Sequence, residues 1–281
     1  MNLSQSPAPV TPPNEMASAL DSPKTKYTEQ WEKEEMEKLY QRFAALIGPL
    51  DMPLIGVMTK KINEHFKDKK EISMLEIGAG AGRATELIFD SIANDRRILY
   101  DGIDVSPAQR KAFEENKGLP RAGAVLKNYE LSPWQDYQVT HPYDLVLAQH
   151  SWYGIGGDKK YIEKLVSSIN EGGMAFVMLS GAETISLYAW KSMGEKGFSA
   201  EDFEKSLQEA GVEYEKIKEE SDTYKREDFY KDGKLTQKGI DLCGYLYKRE
   251  VREDDAEVIE MIKSAPEESF KYPKFLFVIK K

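Results

Sequence analysis

Between residues 72 and 179 the chain alternates short apolar runs with helical patterns, and this alternation restricts the fold more than any other feature. The runs are ISMLEI (72–77), ILYDGID (98–104), GAVLK (123–127), YDLVLAQ (143–149) and GGMAFVML (172–179), with helical patterns at 82–93, 107–116 and 159–170. Parallel strands cannot be joined by a tight hairpin and need a crossover, so strands alternating with helices imply βαβ units and a sheet covered on both faces. Pro107 at the start of the second helical pattern and Gly172-Gly173 at the end of the third fit the rules for helix ends.

Two further strands are read beyond this block, VEYEKIKEE at 212–220 and KFLFVIK at 274–280. The expected fold is therefore α/β: a Rossmann-like, doubly wound, mostly parallel sheet of seven strands. Residues 1–23 are rich in Ser, Pro and Asn and are expected to form a disordered tail, followed by one domain over 24–281. Trp31, Met36, Leu39, Tyr40, Phe43 and Leu46 fall at mostly three- and four-residue spacing, which makes one helix over 27–46. A second helix is expected over 53–66, and others at 182–193, 199–210 (opening on Ser199), 235–248 and 253–263.

The chain has 281 residues and a net charge of −9, from 39 Lys plus Arg against 48 Asp plus Glu. That balance opposes nucleic-acid binding, which needs a basic surface to neutralise phosphates, and favours a small-molecule partner. One cysteine, Cys243, excludes an internal disulfide framework and any multi-cysteine metal site; His65, His141 and His150 lack ligand spacing, so no metal is expected. The first residues lack a signal-peptide pattern, and no stretch reads as the roughly 18 apolar residues a membrane span needs. A cytoplasmic chain without membrane contact is expected, with the oligomeric state left open.

Glu76-Ile77-Gly78-Ala79-Gly80-Ala81-Gly82 is a strand-to-helix turn in which backbone N–H groups can face a ligand. A dinucleotide loop wants Gly-x-Gly-x-x-Gly, and neither frame supplies it: the third position is Arg83 in one and Thr85 in the other. The order acid-x-Gly-x-Gly-x-Gly instead resembles motif I of the class I S-adenosylmethionine (SAM) methyltransferases. In that family the acid, here Glu76, lies near the cofactor's amino group, directly or through water. Asp104, 22 residues beyond Gly82 at the next strand end, can accept both hydroxyls of a ribose, a feature that dinucleotide and SAM sites share. Asn128 is expected against the adenine.

The fourth strand runs into Gln149, His150, Trp152 and Tyr153, where a doubly wound sheet places its ligands. Beyond motif I, residues 26–281 resemble the histamine N-methyltransferase family. The resemblance rests on Lys26-Tyr27, the glycine loop, DVSPAQ, QHSWY, Ser180-Gly181 followed by Trp190-Lys191 and Gly194, EDFEKSLQEAGVEYE, FYKDGKLTQKGIDLCGYL and FLFVIK. The glycine loop is its one specific motif; the other segments count by order and spacing.

This resemblance implies an α-helical lid from inserted segments, about 182–210 and 221–270, over an aromatic pocket. It implies SAM as cofactor, held by Tyr27, Glu76, Gly78, Gly80, Gly82, Asp104, Asn128 and Gln149. It implies substrate binding by His150, Trp152, Tyr153 and Trp190, with His150 and Tyr153 catalytic. His150 stands where the family has a substrate-binding Gln. The family's N-terminal substrate-binding Glu has no clear equivalent near residues 47–52, where Asp51 is the only acid, and its C-terminal Asn is replaced around Tyr272. These departures bear on the acceptor, not on methyl transfer. The expected reaction is methylation of a nitrogen on a small aromatic or cationic amine, ahead of O-methylation or protein methylation; an NAD-dependent oxidoreductase and a non-catalytic SAM-fold binder are the remaining readings.

Overall fold

Strands covered by helices on both faces need apolar residues at most positions, and the central strands have them. In the computed structural model, which describes residues 34–92, 96–115, 124–219 and 224–281, β1 (Glu71–Ile77), β4 (Tyr143–Gln149) and β5 (Ile169–Ser180) carry the most deeply buried runs. The seven-stranded sheet also contains β2 (Arg97–Asp104), β3 (Ala124–Leu131), β6 (Glu215–Glu219) and β9 (Lys274–Lys280). A small hairpin pairs β7 (Tyr230–Lys231) with β8 (Lys234–Leu235). The order across the large sheet is β3-β2-β1-β4-β5-β9-β6, and β9 runs antiparallel to both of its neighbours. The strand order reverses between β1 and β4, which opens a crevice beyond their carboxyl ends.

The helices are α1 (Glu34–Ile47), α2 (Met52–His65), α3 (Arg83–Ser91), α4 (Pro107–Glu115), α5 (Lys159–Ser167), α6 (Ile185–Ser192), α7 (Ala200–Glu209), α8 (Arg226–Phe229), α9 (Gln237–Tyr247) and α10 (Ala256–Ser264). Alternation along the strands sends Met74, Leu147 and Phe176 to one face, against Met58 of α2, Ile88 of α3 and Phe113 of α4. Leu75, Val146 and Val177 go to the other face, against Leu165 of α5 and Phe203 of α7. A third apolar cluster contains no strand residue of the large sheet. It joins Phe43 of α1, Ala189 of α6, Leu242 and Leu246 of α9, and Ile262 of α10.

Several sequence expectations are corrected. α7 was expected in the lid, yet Ala200, Phe203 and Leu207 are buried against the sheet beside Ile162 and Phe277. Its apolar stripe complements the sheet face, while Ser199 and Asp202 close a reciprocal cap at its start. Gly172-Gly173 does not stop a helix: α5 ends at Ser167, and both glycines lie in β5 beside an irregularity in its pairing with β4. A Cβ at Gly173 would sit 2.8 Å from the Asp144 carbonyl oxygen, so that approach requires glycine. The uninterrupted helical run Glu35–His65 is, by length and composition, apolar enough to cross a membrane, against the reading that no stretch approaches one. Leu39, Phe43, Leu54, Met58 and Ile62 are nevertheless buried in the fold, as core helices of this length also require. The expected tail over 1–23 lies outside the described residues.

Candidate active site

The loop after β1 follows from its three glycines. Gly78, Gly80 and Gly82 have φ of 73°, 55° and 75°, a region that costs L residues a Cβ–carbonyl clash. Gly78 has a second constraint: a Cβ there would lie 2.2 Å from the Ser151 Cβ. The loop is tied down by Gly78 and Ala79 N–H groups donating to the Ile103 carbonyl at 2.8 and 2.9 Å, and by the Tyr129 hydroxyl donating to the Gly80 carbonyl at 2.9 Å.

Asp104 ends β2 with its carboxylate accepting from Gly80 N–H and Ser106 N–H, each at 2.9 Å. Burial pushes the pKa of its carboxyl up, and the backbone donors of Ser106, Gly80 and Val105 oppose the rise. A carboxylate has about four lone-pair sites, so these two bonds leave capacity for hydroxyl donors from a ligand.

Glu76 lies behind the loop, one residue removed from the cavity wall. Its carboxylate is 2% exposed and accepts from the Thr85 hydroxyl, from the Tyr100 hydroxyl at 2.7 Å and from the Gln149 amide at 3.2 Å. Burial pushes it up to about 7 despite those donors. Glu76 shares the strand face of Met74, so its side chain enters the layer behind the loop, and Gln149 is the neighbour that reaches the cavity wall.

That cavity, of about 810 Å³ including its solvent-open mouth, opens between the carboxyl ends of β1, β2 and β4, with Gly78, Gly80, Asp104, Gln149 and His150 in its wall. Asn128 is absent from it. β3 extends to Leu131, so Asn128 is an exposed mid-strand residue paired with Asp101, and Ser132-Pro133-Trp134 take the position expected of it. The continuation of the run to YEL before Ser132-Pro133 is the sequence signal that marks the true strand end. Tyr27 lies outside the described residues.

A second cavity, of about 680 Å³ including its solvent-open part, adjoins the first: Tyr40, His150 and Tyr245 line both. Phe43, Tyr153, Trp190 and Tyr272 supply aromatic wall, and Asp51 supplies a carboxylate. The structure therefore brings His150, Tyr153 and Trp190 together, and adds Asp51, Tyr40 and Tyr245. Trp152 is a correction. It is 0% exposed, its indole N–H donates to the Gly156 carbonyl at 3.0 Å, and its ring packs on Phe203 at 5.2 Å in the sheet core. Residues 152–154 form a 3₁₀ turn, in which successive side chains diverge by about 120°, so Trp152 enters the core while Tyr153 reaches the cavity wall.

A continuous hydrogen-bonded chain crosses the second cavity. Ser180 N–H donates to the Tyr153 hydroxyl at 2.7 Å, that hydroxyl lies 3.0 Å from His150 Nδ1, and His150 Nε2 lies 3.0 Å from Asp51 Oδ1. Lys274 closes the chain against Asp51 and also donates to the Ile47 carbonyl at 3.2 Å. Burial alone would raise the Asp51 carboxyl, but His150 and Lys274 outweigh it and hold Asp51 below its usual range. Lys274 is 1% exposed, and burial lowers it against the pull of Asp51. His150 itself has φ 52°, an uncommon conformation for a non-glycine residue, and its N–H is held by the Met178 carbonyl at 2.9 Å. Among the described residues, no group of three or more His, Cys, Asp or Glu could hold a metal ion.

Sheet order, single reversed strand and glycine-loop crevice together define the class I SAM-dependent methyltransferase fold, as solved structures bear out. The plantazolicin methyltransferase BpumL, in complex with S-adenosylhomocysteine, superposes with a TM-score of 0.52 at 14% identity, over 90% of this chain and 93% of that one. YcgJ from Bacillus subtilis gives 0.52 at 10% identity, over 81% and 97%. In sequence, the chain is 26% identical over 143 residues, half its length, to the hybrid PKS-NRPS synthetase LepA of Aspergillus flavus, of which the match spans 4%. No protein-family model matches the chain.

Proposed function

We propose that the chain is a SAM-dependent methyltransferase acting on a small molecule, with a nitrogen of an aromatic ring compound as acceptor and oxygen as the alternative. The observation that carries this reading is the sharing of Tyr40, His150 and Tyr245 between the glycine-loop cavity and the aromatic cavity. A donor in the first and an acceptor in the second would meet at those three side chains. The likeness in fold to the plantazolicin methyltransferase, solved with S-adenosylhomocysteine, adds to it.

The first cavity suits the cofactor's parts. Asp104 would accept from the ribose hydroxyls, the Gly78–Gly82 loop would make room for the chain between ribose and amino acid, and Gln149, backed by Glu76, would face the amino acid end. When bound, SAM supplies a methyl group on a sulfonium, transferred in line to a lone pair. The residues of this chain then act chiefly by position: Trp190 and Tyr153, edge to face with centroids 6.4 Å apart, would exclude water and fix a planar ring. Such orientation can supply about 7–11 kcal/mol of a barrier. Of the aromatic or cationic amine expected, support falls on a neutral aromatic ring, because Asp51, the carboxylate of the second cavity, is already matched by Lys274.

Calorimetric titration with S-adenosylhomocysteine and with NAD, followed by incubation with SAM and a panel of amines, azoles and phenols read by mass, tests the reading. Binding of S-adenosylhomocysteine and a mass gain of one methyl group are expected. Binding of NAD instead would overturn it.

A further inference from the structure

We propose that Tyr153, His150 and Asp51, with Lys274 behind them, form a proton relay that suits the site to a neutral aromatic acceptor bearing an acidic X–H, a phenolic O–H or azole N–H, and removes its proton. The proposal rests on the methyl-transfer reading. It deepens that reading by naming the acceptor's protonation chemistry.

The direction of the chain follows from its ends. Asp51, held ionised beside the Lys274 ammonium, can only accept, so His150 Nε2 carries the hydrogen and Nδ1 presents its lone pair to Tyr153. Ser180 N–H can only donate, so the Tyr153 oxygen accepts from it and turns its own O–H toward His150 Nδ1. The Ser180–Tyr153 and Tyr153–His150 hydrogen bonds therefore run toward the imidazole, which in turn donates to Asp51. Both ring nitrogens are engaged, which leaves the Tyr153 oxygen as the entry point for a proton from the cavity that Tyr153 lines.

The step balances with groups already named. The methyl carbon–sulfur bond breaks with its electron pair kept by sulfur, the acceptor heteroatom forms the new bond to carbon, and one proton per turnover must leave that heteroatom. It passes to the Tyr153 oxygen while the Tyr153 hydroxyl proton passes to His150 Nδ1, and the resulting imidazolium faces Asp51 at 3.0 Å. The site's total charge is unchanged, since the positive charge lost at sulfur reappears on the ring. Lys274 has the opposite effect on a cationic acceptor: with Asp51 already compensated, an ammonium entering the cavity finds no uncompensated carboxylate in the chain.

Three measurements test this. In ¹⁵N spectra of the full chain, with His65 and His141 as internal references and H150Q for assignment, His150 is expected as the Nε2–H tautomer with Nδ1 hydrogen-bonded. Tyr153→Phe should shift the Nδ1 signal and leave the tautomer. An Nδ1–H tautomer, or an Nδ1 signal blind to Tyr153→Phe, overturns the relay whether or not an acceptor has been found. In turnover, Tyr153→Phe should lose at least tenfold more in kcat on phenols and N–H azoles than on ring-matched pyridines, which lose no proton; equal losses on both classes make Tyr153 a mere wall and overturn the proposal. In competition, neutral phenols should bind at least tenfold tighter than ring-matched ammonium compounds, and the reverse order overturns the selection. Failure of the unmodified chain to bind S-adenosylhomocysteine would instead sink the methyl-transfer reading, which separates the two failures.

Discussion

Gly78→Ala perturbs the loop in two ways that can be measured apart. At φ 73° an L residue costs roughly 1–2 kcal/mol through its own Cβ. The new Cβ also lies 2.2 Å from the Ser151 Cβ, well inside contact distance, and Ser151 cannot retreat cheaply because its hydroxyl donates to the Ile77 carbonyl at 2.5 Å. Overpacking of this kind costs about 1–3 kcal/mol, so Gly78→Ala should destabilise by about 2–5 kcal/mol. Ser151→Gly alone should cost about 1 kcal/mol, the worth of its hydrogen bond. In the double variant the clash is gone and only the backbone penalty remains, so the two changes should be less than additive by about 1–3 kcal/mol. Urea unfolding of the four proteins gives the coupling directly. The reasoning is refuted if Gly78→Ala unfolds within 1 kcal/mol of the parent, or if Ser151→Gly leaves its penalty undiminished.

Other expectations follow from the same geometry. Glu76 is an acid whose folded-state value, about 7, exceeds its ordinary 4.5, so its contribution to stability falls as pH rises from about 4.5 through 7 and is flat above. Glu76→Gln removes that dependence, and its stability relative to the parent should grow by on the order of 3 kcal/mol between pH 4.5 and 8 in denaturant titrations; a constant gap would count against the burial argument. Asp104→Asn replaces two accepting oxygens by one, leaves either Gly80 or Ser106 N–H without its partner, and should weaken S-adenosylhomocysteine binding at least tenfold by calorimetry. Lys274→Met isolates the Asp51 charge from its ammonium and should cost about 3–5 kcal/mol in urea, whereas Asp51→Asn with Lys274→Met should recover most of it. Trp152→Ala should destabilise by about 3–5 kcal/mol, while Trp190→Ala should act mainly on acceptor KM.

The elements were legible because their signals are local. The period of apolar residues within β1, β4 and β5, the Pro107 helix start, the Ser199 cap and the three glycines each depend on a few adjacent residues, and they place the strand ends where ligands bind. His150 and Tyr153 could be singled out because they follow a buried strand, whereas Trp190 came from the family resemblance alone.

What the sequence could not express are partnerships between distant residues and the side on which a side chain falls. Asp51 meets His150 across 99 positions and Lys274 across 223, and no local pattern distinguishes Asp51 from a solvated acid in a helical turn. Trp152 and Tyr153 are adjacent in the chain and part ways only because a 3₁₀ turn separates them. Glu76 was recognisable as the acid of a motif, but the Thr85 and Tyr100 hydroxyls that draw it inward come from α3 and β2. By itself, then, the sequence determined the sheet and the loop, through short-range sterics and hydrophobic period. The pairing of charges at the second cavity was decided by tertiary packing, which sets a lysine from the last strand against an aspartate from the first helical layer and leaves that carboxylate compensated.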